Sequence, residues 1–415
     1  IRLSLAKKMK ELGFFYHGYT CDFRGRAYTV TEMLSPQSGD FDRGLIKFAT
    51  PCQVTKEGMY WLMVHVANCC DGMSIDGDEV SDKMSFDERV QWVKRQEKIL
   101  RKISEDPYAN SFWMDNETTK KNPSFQRLAA ICDFVHALDT GKSYVPVQLD
   151  GSCNGSQHWS AIMRDQDIAK LVNVSPTDRP GDLYQYVADI GTNICSSSDG
   201  TWPQVFYEHW DHRIPRKVFK RSTMCDAYGI TDHGIRRYAR EEGHLDWIDD
   251  GSSKTQAVNE LAVVIRSALD GALESSNAGK IFLQTYTELC GNLGENGKFV
   301  EWITPSGFKV INRYNEPKIK IQDSQFYRSK GGVRLRLNTI ETRNKVNTQF
   351  AVQAIPPNFI HSLDAAHMMA VIARMFGRAI INTSFIHDSF GCACNDVPEM
   401  RQFINEEFYN IHKEN

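Results

Sequence analysis

No apolar run in this chain approaches the ~20 residues that carry a helix across a bilayer, so no helical membrane span is expected. There is no CxxC pair among its 11 cysteines, and the odd count argues against a complete disulfide framework. Buried, neutral thiols in a reducing, intracellular compartment are the expectation. There is no internal repeat and no low-complexity segment. Net charge is nearly missing too: 49 Lys and Arg against 52 Asp and Glu leave −3, so bulk electrostatics do not advertise a nucleic-acid partner. The opening IRLSLAKKMK lacks both an initiator Met and the apolar core of a signal peptide, which fits a fragment or a processed chain.

What is present is ordinary in bulk and uneven in detail. At 415 residues, 41% hydrophobic and 24% charged, the chain suits a globular protein of two or more subdomains. Positive charge is concentrated locally. Residues 213–221 carry five Lys or Arg and no acid, and residues 309–345 carry ten against three.

Within RIPRKVFKRSTMCDAYG (213–229), Arg216, Lys220 and Tyr228 stand at offsets 0, 4 and 12, closed by Gly229. At about 100° per residue those three side chains share one helical face. Two cations and an aromatic so grouped can hold a triphosphate and its sugar. Gly229 is the residue expected to let the chain turn sharply at the helix end.

Two acids frame this segment. YVPVQLDG (144–151) alternates and stops at Asp-Gly, a strand ending at Asp150, and NGSQHWSAIMRD continues at helical period. INTSFIHDSFGCACN reads as two short strands with His387-Asp388-Ser389 at the turn. Two carboxylates delivered by separate strand ends can hold two divalent cations about 3.5–4 Å apart, the arrangement of in-line phosphoryl transfer. Magnesium suits so few protein carboxylates, because substrate phosphates complete its octahedron. Elsewhere, residues 84–104 read as a charged surface helix, 255–290 as a helical block, and KFVEWITPSGFKVI as a hairpin turning at Pro305-Ser306-Gly307. Residues 358–377 read as a long helix after Pro356-Pro357, while 71–82 and 192–203 read as linkers.

These segments together resemble the catalytic half of single-subunit, bacteriophage-type DNA-directed RNA polymerases, the family that includes the mitochondrial enzyme. DFRGRAY (22–28) resembles the family's DxRGR block, QLDGSCNGSQHWSA (148–161) motif A, PRKVFKRSTMCDAYG motif B and FIHDSFG (385–391) motif C. PPNFIHSLDAAHMM (356–369) resembles the segment before the last palm helix. The five blocks occur in family order from about residue 13 onward.

The resemblance implies an α+β fold, a right-hand polymerase whose palm is a small antiparallel sheet and whose fingers are mostly helical. Residues 1–12 would end the thumb; 13–50, 141–166 and 362–415 would form the palm, with 51–140 as a palm insertion. Residues 167–361 would be the fingers, including a specificity hairpin about 315–343 that reads promoter bases. It implies that Asp150 and Asp388 bind two Mg²⁺ ions with help from the Gly151 carbonyl. Lys220 and Arg216 would contact the nucleotide phosphates. Tyr228 and His361 would sense the ribose 2′-hydroxyl, with Tyr184 beside that pocket and His387 near the primer terminus. Arg24 and Arg26 would hold the template–transcript duplex by its backbone. The implied partners are double-stranded DNA carrying template and promoter, the RNA transcript and NTPs, with a monomer expected and no membrane. HDSFG and the compact motif spacing resemble phage members more than mitochondrial ones, so the bacterial host cytoplasm is the expected location, with a mitochondrion or a virion as alternatives. The family's N-terminal promoter domain, most of its thumb and its C-terminal foot have no counterpart here, and weak or no promoter transcription by this chain is expected.

Other readings are weighed against this one. A family-A DNA polymerase shares the cationic helix but normally shows DYSxIELR and HDE, where this chain has DGSCNGSQH and HDS. A catalytically impaired nucleic-acid-binding fragment would keep the basic segments without the reaction. Gly151-Ser152-Cys153-Asn154-Gly155 has the form of a nucleophile elbow, but the surrounding segments do not alternate as a doubly wound sheet requires. His361, Asp364 and His367 cannot converge on one ion from a single helix. Gly141-Lys142-Ser143 mimics the end of a P-loop, yet His136 stands where the first glycine belongs.

Overall fold

The alternation that predicts a strand ending at Asp150 is realised: Val147–Asp150 is that strand. The computed structural model describes residues 1–114, 124–177, 179–198, 202–318 and 341–413. They form two units, Ile1–Asp182 with Ser362–Asn415, and Leu183–His361. The fold is α+β, dominated by helices with small antiparallel sheets.

In the first unit Thr383–Ile386, Ser389–Cys392 and Val147–Asp150 make a three-stranded antiparallel sheet with Ser389–Cys392 in the middle. All four residues of that middle strand are buried, as a central strand covered on both faces should be. Helices Lys56–Cys69, Phe86–Glu105 and Ser124–Thr140 pack on one another and share a core with the sheet that includes Leu62, Trp92, Leu100, Phe134, Val147 and Cys392. Each large side chain so buried contributes roughly 1.5–3 kcal/mol. The expected charged helix begins on a reciprocal cap: the Glu88 N–H donates to Ser85 Oγ at 3.2 Å, and the Ser85 N–H donates to the Glu88 carboxylate at 2.7 Å. Its Val90, Val93, Leu100 and Ile103 are buried at helical spacing, so one face belongs to the core and only the other to the surface.

The Val397–His412 helix docks through an aromatic cluster. His158 Nδ1 and His412 Nε2 lie 2.9 Å apart, His367 Nε2 lies 2.9 Å from the Ile404 carbonyl, and the Phe408 ring packs against all three imidazoles. Burial pushes His367 and His412 down to about 4, so both are neutral near pH 7.

The second unit is helical, with Leu183–Ser196, Arg216–Asp226, Asp232–Glu241, Gly251–Ala272 and Glu274–Gly291 as its main helices. The hairpin Val300–Ile303 with Lys309–Asn312 forms where the turn at residues 305–307 predicts it. Asn315–Lys318 pairs antiparallel with Glu341–Val346. The middle of the hairpin expected at 315–343, residues 319–340, lies outside the described residues.

Four expectations are corrected. The helix expected from 358 begins ten residues earlier and runs Thr348–Gly377 with Pro356 and Pro357 inside it. Two prolines remove two intrahelical hydrogen bonds; the hairpin buttresses this stretch, with Asn312 Nδ2 donating to the Ala351 carbonyl and Asn358 Nδ2 donating to Asn312 Oδ1 and Tyr314 Oη. The linker read at 71–82 contains a small hairpin, Ser74–Ile75 with Asp78–Glu79, and the one read at 192–203 is entered by the Leu183–Ser196 helix. Nor are the thiols uniformly buried: Cys21 is exposed, and Cys52, half-buried, is lowered to about 7, chiefly by its hydrogen bond with Cys394. Cys69 and Cys70 do behave as expected, pushed up to about 12 by burial. The fourth correction concerns Tyr228 and is described with the site.

Candidate active site

Strand register builds the acidic half. Ser389 pairs with Asp150, Phe390 with Leu149, Gly391 with Gln148 and Cys392 with Val147. The two-residue loop His387–Asp388 therefore places Asp388 at the same end of the sheet as Asp150, on the neighbouring strand. The Gly151 N–H donates to the Asp388 carbonyl at 3.2 Å, tying the two segments by their main chains. His387 takes φ 54°, the left-handed conformation that so tight a hairpin demands and that non-glycine residues adopt at a cost.

Burial, and then the charge of Asp150, raises the Asp388 carboxyl above its ordinary value. Among the described residues neither carboxylate has a salt-bridge partner. The acidic side chains brought to this sheet end are the carboxylates of Asp150 and Asp388, both hard oxygen donors. A β-carbon at Gly151 would stand 3.2 Å from Gln157 Oε1 and in ordinary contact with Asp388 Cβ at 3.8 Å. Two neighbouring carboxylates, oxygen donors only, fit a hard divalent ion, with Arg26 as a positive charge acting on Asp388. No group of three or more His, Cys, Asp or Glu side chains suited to a metal occurs among the described residues.

The DFRGR block wraps the same end. Asp22 Oδ1 accepts the N–H groups of Arg24 at 2.9 Å and Arg26 at 3.1 Å, and Asp22 Oδ2 accepts from Arg24 Nε at 2.9 Å. Arg26 makes a two-pronged pair with Asp364, from Nε to Oδ1 at 3.0 Å and from Nη2 to Oδ2. Asn154, in the first turn of the helix after Asp150, donates to the same Oδ2 at 3.2 Å. Burial pushes Asp364 up to about 6 against the opposing pull of Arg26. Tyr28 packs edge-on against His387 at 4.9 Å between ring centroids, and burial lowers His387 to about 4. Gln148 links the strands from the side, accepting from Ser389 Oγ at 2.9 Å and donating to Ser384 Oγ at 3.2 Å.

The second unit carries the other expected residues. Pro215 precedes the Arg216–Asp226 helix, whose Val218, Phe219, Ser222, Thr223 and Asp226 are buried. Arg216 and Lys220 lie one turn apart on its other side, with Lys220 exposed. The Arg216 guanidinium stands over the Tyr184 ring at 4.9 Å, a contact that steadies a planar cation. The helix ends at Asp226, so Tyr228 does not share its face; it stands on the turn that follows, which Gly229 completes at φ 77°. The 100° projection fails because it extrapolates a helix past its end. The tyrosine nevertheless meets His361, with ring centroids 4.7 Å apart.

The expected residues thus fall into two clusters, each within one unit: Arg24, Arg26, Asp150, Gly151, His387 and Asp388 in the first, and Tyr184, Arg216, Lys220, Tyr228 and His361 in the second. Sequence reasoning missed Asn154, Asp364 and the Gln148–Ser389 link. Asp364 lies in a quoted block but was weighed only as a metal ligand, and its partner Arg26 stands 338 residues away.

Comparison with known proteins shows the family of the chain. The family described as DNA-dependent RNA polymerase matches residues 52–415. The chain is 28% identical over its whole length to DNA-directed RNA polymerase 2, chloroplastic/mitochondrial, of Arabidopsis thaliana, covering 40% of that protein. It is 31% identical to DNA-directed RNA polymerase 3, chloroplastic, of Nicotiana sylvestris, with 99% of this chain and 41% of that one aligned. The mitochondrial DNA-directed RNA polymerase of Mus musculus is 29% identical across all of this chain and 33% of its own length. The chain therefore spans between a third and two-fifths of these relatives. By a family match that takes in both clusters except Arg24 and Arg26, the chain belongs to the DNA-dependent RNA polymerases.

Proposed function

We propose that this chain is the catalytic portion of a single-subunit DNA-directed RNA polymerase, adding ribonucleotides to the 3′-hydroxyl of RNA on a DNA template. The observation that carries the reading is the register that sets Asp150 and Asp388 side by side at one end of a three-stranded sheet. In this reading residues 13–50, 141–166 and 362–415 are the palm, with 51–140 as its insertion, and residues 167–361 are the fingers with the specificity hairpin. Its partners are template DNA, nascent RNA and NTPs.

Asp150, Asp388 and the Gly151 carbonyl would hold two Mg²⁺ ions. Bound there, the ions would lower the pKa of the attacking hydroxyl and neutralise the leaving pyrophosphate. The chain's own groups do the rest. Lys220 offers a mobile point charge and Arg216 a fork held by Tyr184, both directed to the triphosphate. Tyr228 and His361 flank the sugar and select the ribose. His387, neutral and held by Tyr28, stands beside the primer terminus. Arg24 and Arg26 brace the duplex side, the latter through Asp364. Charge placed where it develops in the transition state supplies most of the acceleration in such a reaction.

The test is extension of a preformed RNA–DNA scaffold by the chain with Mg²⁺ or Mn²⁺. Templated addition that prefers rNTPs and is abolished by Asp388→Asn supports the proposal. A preference for dNTPs would favour a family-A DNA polymerase. Scaffold binding without extension under either ion would make the chain a nucleic-acid-binding fragment and overturn the catalytic reading.

A further inference from the structure

Tyr228 sits on a turn tied to the helix end, its N–H donating to the Cys225 carbonyl at 3.1 Å and the Gly229 N–H to the Asp226 carbonyl, so the groups that hold Asp226 bear on its position. Asp226, the last helical residue, is fully buried, and a lone carboxylate there would be strongly destabilising. Lys280 reaches it from the Glu274–Gly291 helix and is itself buried. Its Nζ donates to Asp226 Oδ2 at 2.6 Å and to the Asp226 main-chain carbonyl at 2.9 Å. That carbonyl also accepts the Gly229 N–H at 2.8 Å, the bond that closes the turn bearing Tyr228. Arg266, from the Gly251–Ala272 helix, holds the far side. Its Nη1 lies 3.5 Å from Asp226 Oδ1, its Nε donates to Asp232 Oδ1 at 2.9 Å, and its Nη2 donates to the Ile230 carbonyl at 2.5 Å.

Two cations from two other helices therefore grip both ends of the 226–232 segment. We infer that Lys280 and Arg266 are positioning residues for sugar selection: by clamping this segment they set the Tyr228 phenol against His361. The inference rests on the sugar-selecting role proposed for Tyr228 above. Apolar residues of similar volume would fill the same space and often hold a fold as firmly as a buried ion pair. They cannot, however, donate to the turn's carbonyl, so what the clamp adds is direction. A general loss of stability would reduce use of both nucleotide classes together; a displaced phenol changes their ratio.

The experiment measures kcat/KM for single rNTP and dNTP addition on the scaffold, with a thermal melt for each variant. The uncharged pair Asp226→Leu with Lys280→Met, folded by its melt, is expected to lower the rNTP-to-dNTP preference about tenfold. Lys280→Arg, which keeps the donors, should stay within about twofold of the parent. Adding the uncharged pair to Tyr228→Phe should cost nothing beyond Tyr228→Phe itself, because both act on one contact. Arg266→Gln, changed at a partly exposed side chain, reads the same ratio if the paired variant fails to fold. An unchanged ratio in a folded clamp variant, equal losses for both nucleotides, or additive losses with Tyr228→Phe would each overturn the inference. If Tyr228→Phe itself leaves the ratio unchanged, the sugar-pocket reading falls and this inference with it. If Tyr228→Phe relaxes selection and the clamp variants do not, the inference fails by itself.

Discussion

The two clusters are made by different means. The acidic one is made by strand pairing: once Ser389 stands opposite Asp150, both carboxylates are placed, and no side chain need hold them. The cationic one is made by a helix and the turn after it, where side chains from other helices do the placing. Sheet-built placement is local and tolerant of its surroundings. Helix-end placement is distributed, and it fails when a distant partner changes.

The largest expected effect exploits the first half of that contrast. Asp150→Asn should cut scaffold extension by about 10³-fold or more while leaving the melting temperature unchanged or slightly raised, since it removes repulsion from Asp388. Single-turnover kinetics beside a thermal melt checks it, and a large loss of stability would show that the carboxylate holds the sheet. Lys220→Ala, at an exposed side chain, should lower turnover by about 10²-fold with little change in scaffold affinity. Equal losses in turnover and affinity would make Lys220 a nucleic-acid contact instead.

Next comes a backbone test of the sheet. A β-carbon at Gly391 would stand 2.7 Å from the Ser384 carbonyl and 2.6 Å from Gln148 Nε2, so Gly391→Ala should destabilise the first unit by about 1–3 kcal/mol and slow extension with it. Urea unfolding reads the effect.

The smallest effect in activity is one of pH on stability. His65, His367 and His412 have folded values of about 4 against an ordinary 6.5, so the unfolded chain binds more protons between those limits. Stability is complete above pH 6.5 and falls as pH drops toward 4, by about 2 kcal/mol at pH 5 for one such histidine. Unfolding followed from pH 7 to pH 5 should show the loss, and His412→Phe should shrink it by one histidine's share. A pH-independent midpoint would mean that these imidazoles are hydrated.

Legibility follows the same division. The strand ends at Asp150 and Asp388 are readable because alternation followed by a turn is a local signal. The pairing of those two strands is not local, and it becomes legible through the resemblance carried by the motifs. The helix that bears Arg216 and Lys220 is readable from its spacing, but its end is not, and Tyr228 is therefore misassigned to its face. Pro356-Pro357 hides the helix start because a pair of prolines reads as a break, whereas here both lie inside the helix Thr348–Gly377. The Arg26–Asp364 and Lys280–Asp226 pairs span 338 and 54 residues, and no period reports such a partnership.

The bond from the Gly151 amide to the Asp388 carbonyl has one more consequence. Because peptide groups stitch the acid-bearing segments together, the spacing of their main chains at this sheet end is set by the backbone. Changes in neighbouring side chains leave that main-chain bond in place.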